Sequence, residues 1–239
     1  DSKGDSYLSP SAIPPTGNRS KNYRLTEERN LRLCYPSRAH LSERSLNRNH
    51  SAALCKDKSS QSTNSTHRCM EMTPTALNCE NRCIYCWRPT EFYDTLEMPS
   101  HLVDDPEVIV HSLLEERRKL IVGYYGKSDI NQSKLDESLF PEHYAISLSG
   151  EPTMYPKLPQ LIKYLFRLKA TKSIFLVTNG QEPEMLYRLA DENALPTQIY
   201  LSTNASTKNM FFKINGPKHK DAWERWQRSL KFISQANTR

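Results

Sequence analysis

The string Asn78-Cys79-Glu80-Asn81-Arg82-Cys83-Ile84-Tyr85-Cys86-Trp87 sets three cysteines at C-x3-C-x2-C spacing, directly behind a candidate strand from Met72 to Leu77. Three thiolates fill three corners of a cubane iron–sulfur cluster and leave the fourth iron open to a substrate or cofactor. A structural zinc site closes all four positions instead. The expectation is therefore a [4Fe–4S] cluster on Cys79, Cys83 and Cys86, with structural zinc or unligated core cysteines as the alternatives. Cys69 lies on the far side of the candidate strand, poorly placed to supply a fourth corner.

Outward from this loop, strand-like and helical runs alternate. Asp105 followed by Pro106 and Glu107 marks a helix start, and Gly123 a stop. Tyr144 to Leu148 is a short apolar run ending near Gly150, and reads as a buried parallel strand. A helix from about Pro159 to Lys169, a strand from Ile174 to Val177, a helix from Pro183 to Ala190 and a strand from Ile199 to Ser202 follow. The last periodic segment places Trp223, Trp226, Leu230 and Ile233 on one face. Repeated strand–helix units imply an α/β fold, a partial (β/α) barrel with parallel strands and outer helices. Residues 67–239 form this core. Residues 1–66 are rich in Ser, Asn, Arg and Pro, with no sustained period, and read as a polar, irregular N-terminal extension. In parallel sheets the working groups collect beyond the carboxyl ends of the strands. The cysteine loop, Gly150 to Tyr155, Asn179–Gly180 and Thr203–Asn204 all fall at such ends.

The whole chain bounds the class. Its 239 residues suffice for one sizeable core, and 33 Lys and Arg against 27 Asp and Glu give +6, a bias that suits a nucleic-acid partner without requiring one. Runs of about 18 apolar residues are absent from the sequence, and so is a hydrophobic leader at its start, so the expectation is a cytoplasmic protein with no membrane partner. Six cysteines in such a compartment point to metal or catalysis rather than disulfides. The chain starts at Asp1 without an initiator methionine, so further N-terminal sequence is expected.

The cysteine spacing, with aromatic Tyr85 before the last thiol, resembles the motif of the radical S-adenosylmethionine (SAM) superfamily. That resemblance implies a radical-SAM barrel in which the open iron chelates the amino and carboxylate groups of SAM and one electron cleaves its sulfonium to a 5'-deoxyadenosyl radical. Ser149-Gly150-Glu151-Pro152 resembles the superfamily's Gly-Glu-Pro motif, so Gly150, Glu151 and Pro152 are cofactor-binding candidates, with Glu151 as the anionic acceptor for the ammonium. Asn179 in Thr178-Asn179-Gly180, and Ser202 and Asn204 in Ser202-Thr203-Asn204, are further candidates that fit ordinary turn chemistry equally well.

Longer strings narrow the resemblance. His67-Arg68-Cys69-Met70-Glu71-Met72-Thr73-Pro74, Cys83-Ile84-Tyr85-Cys86-Trp87-Arg88, Ile146 to Pro156, Lys213-Ile214-Asn215-Gly216-Pro217 and Trp223-Glu224-Arg225 are similar to the wybutosine-pathway synthases that make 4-demethylwyosine on tRNA. This likeness implies a radical SAM synthase of the lyase class that condenses N1-methylguanosine at position 37 of phenylalanine tRNA with two carbons of pyruvate. Its partners would be the tRNA anticodon loop, pyruvate and an electron donor such as a flavodoxin or ferredoxin. Arg82, Arg88, Lys213 and Lys218 are candidates to hold phosphates, each also readable as a solvated surface charge. The family carries a second cluster on three upstream cysteines, for which Cys34, Cys55 and Cys69 are available, and a lysine beside the middle one that forms a Schiff base with pyruvate. Cys69 in His-Arg-Cys matches its counterpart; His50 to Cys55 resembles the segment of the first cysteine, which leaves the lysine segment unmatched, whereas with Cys34 first and Cys55 in the middle Lys58 or Lys56 becomes the Schiff-base candidate. Because the family's barrel continues beyond the position of Ile233, the core is expected to be truncated at its C-terminus. Two other readings stay open at this point: a radical SAM activase, and a metal-stabilised RNA-binding module without catalysis.

Overall fold

The computed structural model describes the backbone of Ser6–Tyr7, Arg24–Leu25 and Leu33–Tyr35, together with residues 66–238 except positions 94 and 129. Strands β1 (Ser6–Tyr7) and β2 (Arg24–Leu25) pair with each other in an antiparallel ribbon. The main sheet contains β3 (Leu33–Tyr35), β4 (Cys69–Thr73), β5 (His143–Ile146), β6 (Ser173–Thr178) and β7 (Gln198–Leu201), in that spatial order. β3 runs antiparallel to β4, with Cys34 opposite Met72. β4 to β7 are parallel, each beside its successor. Stepping always to the next strand in the same direction is the connectivity of an arc of a (β/α) barrel.

The helices are α1 (Pro106–Val122), α2 (Gln132–Ser138), α3 (Leu158–Arg167), α4 (Pro183–Asp191), α5 (Lys208–Asn215) and α6 (Ala222–Gln235). α1 and α2 lie in the β4–β5 connection, α3 and α4 in the next two, and α5 and α6 follow β7. Strand residues alternate by face as the pleat requires. Met70, Met72, Tyr144, Ile146, Ile174 and Leu176 are buried in one core with Leu113, Leu161, Leu165 and Leu186 from α1, α3 and α4. The opposite face carries Glu71, Ala145, Phe175 and Val177, all half-buried, as suits the interior of a barrel arc.

α1 begins as expected, with Asp105 extended at the cap, Pro106 in the first turn and Gly123 at the end. Arg117 on this helix is fully buried and donates to the carbonyls of Ser138, Cys69 and His67, which ties α1 to the amino end of β4. Two expectations are corrected. The first strand occupies Cys69–Thr73 rather than Met72–Leu77, because Pro74 has no N–H to give a ladder and Asn78 N closes a turn onto the Thr75 carbonyl at 2.7 Å. On α6 the inward face is Ala222, Trp226 and Ser229, with Ile233 packed against the core, while Leu230 stays 44% exposed. The spacing of 4, 3 and 4 residues along 222, 226, 229 and 233 follows the helical period better than a stripe through Leu230.

Candidate active site

The cysteine loop is held from two sides. On one side it forms a short antiparallel ladder with the segment after α5: Arg82 N donates to Gly216 O at 3.1 Å, Ile84 N to Ile214 O at 2.9 Å, and Lys218 N to Glu80 O at 2.9 Å. Gly216 turns the chain out of α5 at φ +49°, and a Cβ there would stand 2.7 Å from the Arg82 carbonyl, so the ladder depends on glycine.

On the other side stands the loop after β5. Thr73 Oγ1 donates to the Ser149 carbonyl at 2.6 Å, Ser149 Oγ to the Ala76 carbonyl, and Glu151 N to the Asn78 carbonyl at 2.7 Å. Gly150 has φ +70°, and a Cβ would meet Asn78 O at 2.7 Å and Thr75 O at 2.8 Å. Leu148, two residues earlier, sits at φ +92°, a strained value for a branched side chain. Arg88 holds its carbonyl with Nε at 2.9 Å and Nη2 at 2.6 Å, and stacks over the Trp87 ring.

Between these loops lies a cleft of about 250 Å³ whose lining includes Cys79, Cys83, Cys86, Tyr85, Gly150, Glu151, Pro152, Asn179, Ser202 and Asn204. Every cofactor-binding candidate and all three thiols of the C-x3-C-x2-C string therefore converge on one concavity. The thiols are free, with no disulfide among them. Burial pushes the Cys79 thiol far up, helped by the Glu80 and Glu151 carboxylates, and burial likewise raises Cys83. Such thiols stay protonated until a metal displaces the proton, which is how a desolvated thiol set behaves toward iron. Three part-buried thiols in one loop, with Asn179 Nδ2 3.6 Å from Cys79 Sγ, fit a cluster with one open corner.

Glu151 is almost wholly buried, and its carboxylate joins the ends of β5 and β6. Oε1 accepts from Thr153 N (3.1 Å), Thr153 Oγ1 (2.6 Å) and Thr178 Oγ1 (2.6 Å), while Oε2 accepts only the Asn179 N–H at 2.7 Å among the described contacts. Burial raises its carboxyl against the pull of those hydrogen bonds. Oε2 keeps lone-pair capacity for a further donor, as an ammonium acceptor must. Tyr85 is half exposed; its hydroxyl contacts the Asn204 amide and Asn215 Oδ1, the latter at 3.4 Å. Asn215 Oδ1 also accepts from Asn204 Nδ2 at 3.1 Å and lies 3.7 Å from Cys83 Sγ.

Some expectations do not meet at this cleft. Cys69 is the first residue of β4, at the end of the sheet away from the cysteine loop, and does not line the cleft. Cys34 is placed only by its backbone, in β3. Cys55, Lys56 and Lys58 lie outside the described residues. Of the phosphate candidates, Lys213 is exposed, Arg82 is exposed but donates Nη2 to the Tyr93 carbonyl at 3.3 Å, and Lys218 is turned onto the carbonyls of Tyr93 and Thr95. Arg88 is corrected outright: at 5% exposure it is an internal clamp, not a surface cation. Asn215 and the pair Thr153 and Thr178 were not singled out as site residues; the Lys213-Ile214-Asn215-Gly216-Pro217 string held the signal for the first, as a polar residue next to a glycine helix stop.

Residues 73–239 match the family model described as the radical SAM superfamily. The chain is 40% identical over 174 residues to the S-adenosyl-L-methionine-dependent tRNA 4-demethylwyosine synthase of Pyrococcus abyssi, covering 73% of this chain and 50% of that one. It is 37% identical over 172 residues to the human tRNA 4-demethylwyosine synthase TYW1, covering 71% of this chain and 22% of that one. Among solved structures it resembles TYW1 with a lysine–pyruvate adduct bound, at a TM-score of 0.60 and 34% identity over 71% of this chain and 53% of that one. It also resembles archaeal TYW1, at a TM-score of 0.55 and 30% identity over 72% and 53%. The chain thus spans about half the length of the archaeal relatives it matches.

Proposed function

The chain belongs to the radical SAM superfamily, and on that footing we propose that it carries out tRNA 4-demethylwyosine synthesis, joining N1-methylguanosine-37 of phenylalanine tRNA to two carbons of pyruvate. The observation that carries this reading is the convergence of Cys79, Cys83 and Cys86 with the Gly150–Pro152 loop on one cleft. Cys79, Cys83 and Cys86 would hold the cluster, and Glu151, Tyr85, Asn179, Ser202 and Asn204 would line the SAM seat. When bound, the cluster and SAM supply a primary carbon radical for abstraction of hydrogen from the substrate. The chain's own contribution is placement. The ladder to Ile214–Lys218 fixes the thiols, Gly150 lets backbone approach closely, and Glu151 Oε2 offers an acceptor to the cofactor's ammonium.

The rim supports an RNA substrate. Ile84, Tyr85 and Trp87 are 75%, 55% and 44% exposed beside the cleft, and Arg82 is exposed within the same loop. Exposed aromatic faces with a neighbouring cation are what splayed, single-stranded bases stack upon. The name of the solved relative refers to a lysine–pyruvate adduct, and here we assign that role to Lys58 or Lys56. Cys34, Cys55 and Cys69 are our candidates for a second cluster, and a flavodoxin or ferredoxin for the electron donor. Among the described residues no helix is long and apolar enough to cross a membrane.

Anaerobic protein reduced with dithionite should show a [4Fe–4S]+ EPR signal that changes on adding SAM. With pyruvate and tRNA bearing N1-methylguanosine-37, it should yield the tricyclic base by nucleoside mass spectrometry. About eight irons per chain would count a second cluster, and about four would remove it. Borohydride trapping of pyruvate should be lost in the Lys58→Ala or Lys56→Ala variant. A cluster signal indifferent to SAM would refute the radical site. SAM cleavage with no tricyclic product would refute the tRNA assignment.

A further inference from the structure

Beside the cleft but outside its lining, Glu80, Glu182 and His219 each bring one ligand atom to within 4.8 Å of the others. They come from separate segments: the cysteine loop, the residue before α4 and the turn before α6. None of the three lines the cleft. Glu80 is fully buried. Its Oε2 accepts from Asn179 Nδ2 at 3.3 Å, but its Oε1 is buried without a hydrogen-bond partner, and so is His219 Nε2. Unpaired polar atoms in the interior are costly, and two facing one small space call for a common partner.

Neighbouring charges do not supply it. His219 Nε2 stands 3.8 Å from Glu182 Oε1, beyond hydrogen-bond range. Arg225 Nη1 reaches Glu182 Oε1 at 3.5 Å, but the same guanidinium is shared with Asp221, whose Oδ2 lies 3.2 Å from Nε. One guanidinium is thus divided among Glu182, Asp221 and the Gln181 carbonyl, which takes Nη1 at 2.9 Å. The Glu80 and Glu182 carboxyls are within hydrogen-bond reach of each other, so a proton shared between them would quiet that pair, yet it leaves His219 Nε2 unpaired. Burial lowers the pKa of that imidazole, and in the tautomer protonated at Nδ1 its Nε2 offers a lone pair.

We propose that Glu80, Glu182 and His219 form a site for one divalent cation, manganese or ferrous iron, separate from the cysteine-bound cluster. Two carboxylate oxygens and one imidazole nitrogen are a donor set that suits these ions, with water completing the shell. The ion ties the cysteine loop to the starts of α4 and α6, so it braces the cluster loop through residues outside the lining of the cleft.

The test uses anaerobic holoprotein with its cluster oxidised and EPR-silent, cleared of loosely held Fe2+ by a mild chelator, and titrated with Mn2+ alone while the free six-line signal is followed. One Mn2+ should bind per chain, and Glu182→Gln and His219→Gln should each weaken binding by at least about tenfold, with acid-labile sulfide content and far-UV circular dichroism unchanged. Mn2+ should also raise the melting temperature of the wild type and not of the variants. An undiminished Mn2+ signal in the wild type would overturn the proposal and leave Glu80 and Glu182 as a proton-sharing pair. Equal binding by both folded variants would overturn it by placing the ion elsewhere. Cluster content and SAM binding are read separately, so neither result depends on the tRNA assignment.

Discussion

Arg88 offers a quantitative test of how the site is assembled. Its guanidinium, only 5% exposed, donates twice to the Leu148 carbonyl. Hydrogen bonds from a charged donor are worth about 1.5–3 kcal/mol net. The φ of +92° at Leu148 costs about 1–3 kcal/mol for a residue with a side chain. The two are of equal size, so the clamp offsets the strain, and the Ser149–Pro152 loop keeps its shape only while Arg88 is present. In Arg88→Met, Leu148 relaxes, Gly150 and Glu151 shift, and SAM affinity should fall by about 10–100-fold, which is about 1.4–2.8 kcal/mol. Equilibrium binding of SAM to anaerobic protein, at matched iron content, measures this directly. Adding Leu148→Gly to the variant should restore much of the affinity, because glycine reaches that φ without strain. Arg88→Lys keeps the charge but not the fork, and should fall between. SAM affinity within about twofold of wild type in Arg88→Met at full cluster loading would refute the argument, given that the strain and the clamp are each expected to exceed that factor. Failure of Leu148→Gly to rescue would show that Arg88 acts through something other than backbone strain.

Gly216→Ala should lower iron per chain while leaving the remainder of the sheet folded, since its Cβ would meet the Arg82 carbonyl at 2.7 Å and break the ladder that fixes the cysteine loop; undiminished iron in that variant would contradict the ladder's role. Arg117→Met should destabilise the protein by on the order of 3 kcal/mol in urea unfolding, because buried carbonyls lose their donor; a change below about 1 kcal/mol would mean that the carbonyls find other partners. Cys86→Ala should abolish the SAM-responsive EPR signal, whereas Cys69→Ala should leave it, and loss of the signal in both would place Cys69 at the same cluster. The hydrogen bond from Arg188, with Lys163 beside it, lowers the Glu192 carboxyl below its usual range. A depressed acid stabilises above its unfolded pKa and loses that contribution as pH falls through the folded value. Glu192→Gln should therefore flatten the acid side of the melting-temperature profile below about pH 4.5, and an unchanged profile would show the pair to be inert.

What could be read from the sequence and what could not divide along the range of the interaction involved. The α1 start at Asp105–Pro106, its end at Gly123 and the strand around Leu176 follow from neighbours within a few residues and stand where expected, while the strand expected over Tyr144 to Leu148 ends at Ile146, before the turn at Leu148. The first strand shifted because Pro74 and the Thr75–Asn78 turn outweigh the apolar side chains of Met72 to Leu77. Spacing alone also brought Cys79, Cys83 and Cys86 together, since a loop that short cannot hold its thiols far apart. Arg88 was misread because a basic residue beside a cluster looks like a surface charge until a strained carbonyl 60 residues away is seen under it. Glu80, Glu182 and His219 carry no local pattern at all; only the meeting of three separate segments beside the cysteine loop makes them neighbours. The same convergence explains why the segment after α5 belongs to the site. Its carbonyls at Ile214 and Gly216 take the N–H groups of Ile84 and Arg82, so the thiols between and beside those residues are positioned by hydrogen bonds from a stretch more than 120 residues downstream. A change in α5 or α6 that moved this stretch would alter the cysteine loop as directly as a change in the loop itself. Iron loading across substitutions at Phe211 and Trp226, which pack these two helices together, should therefore track the stability of that cluster rather than distance from the thiols.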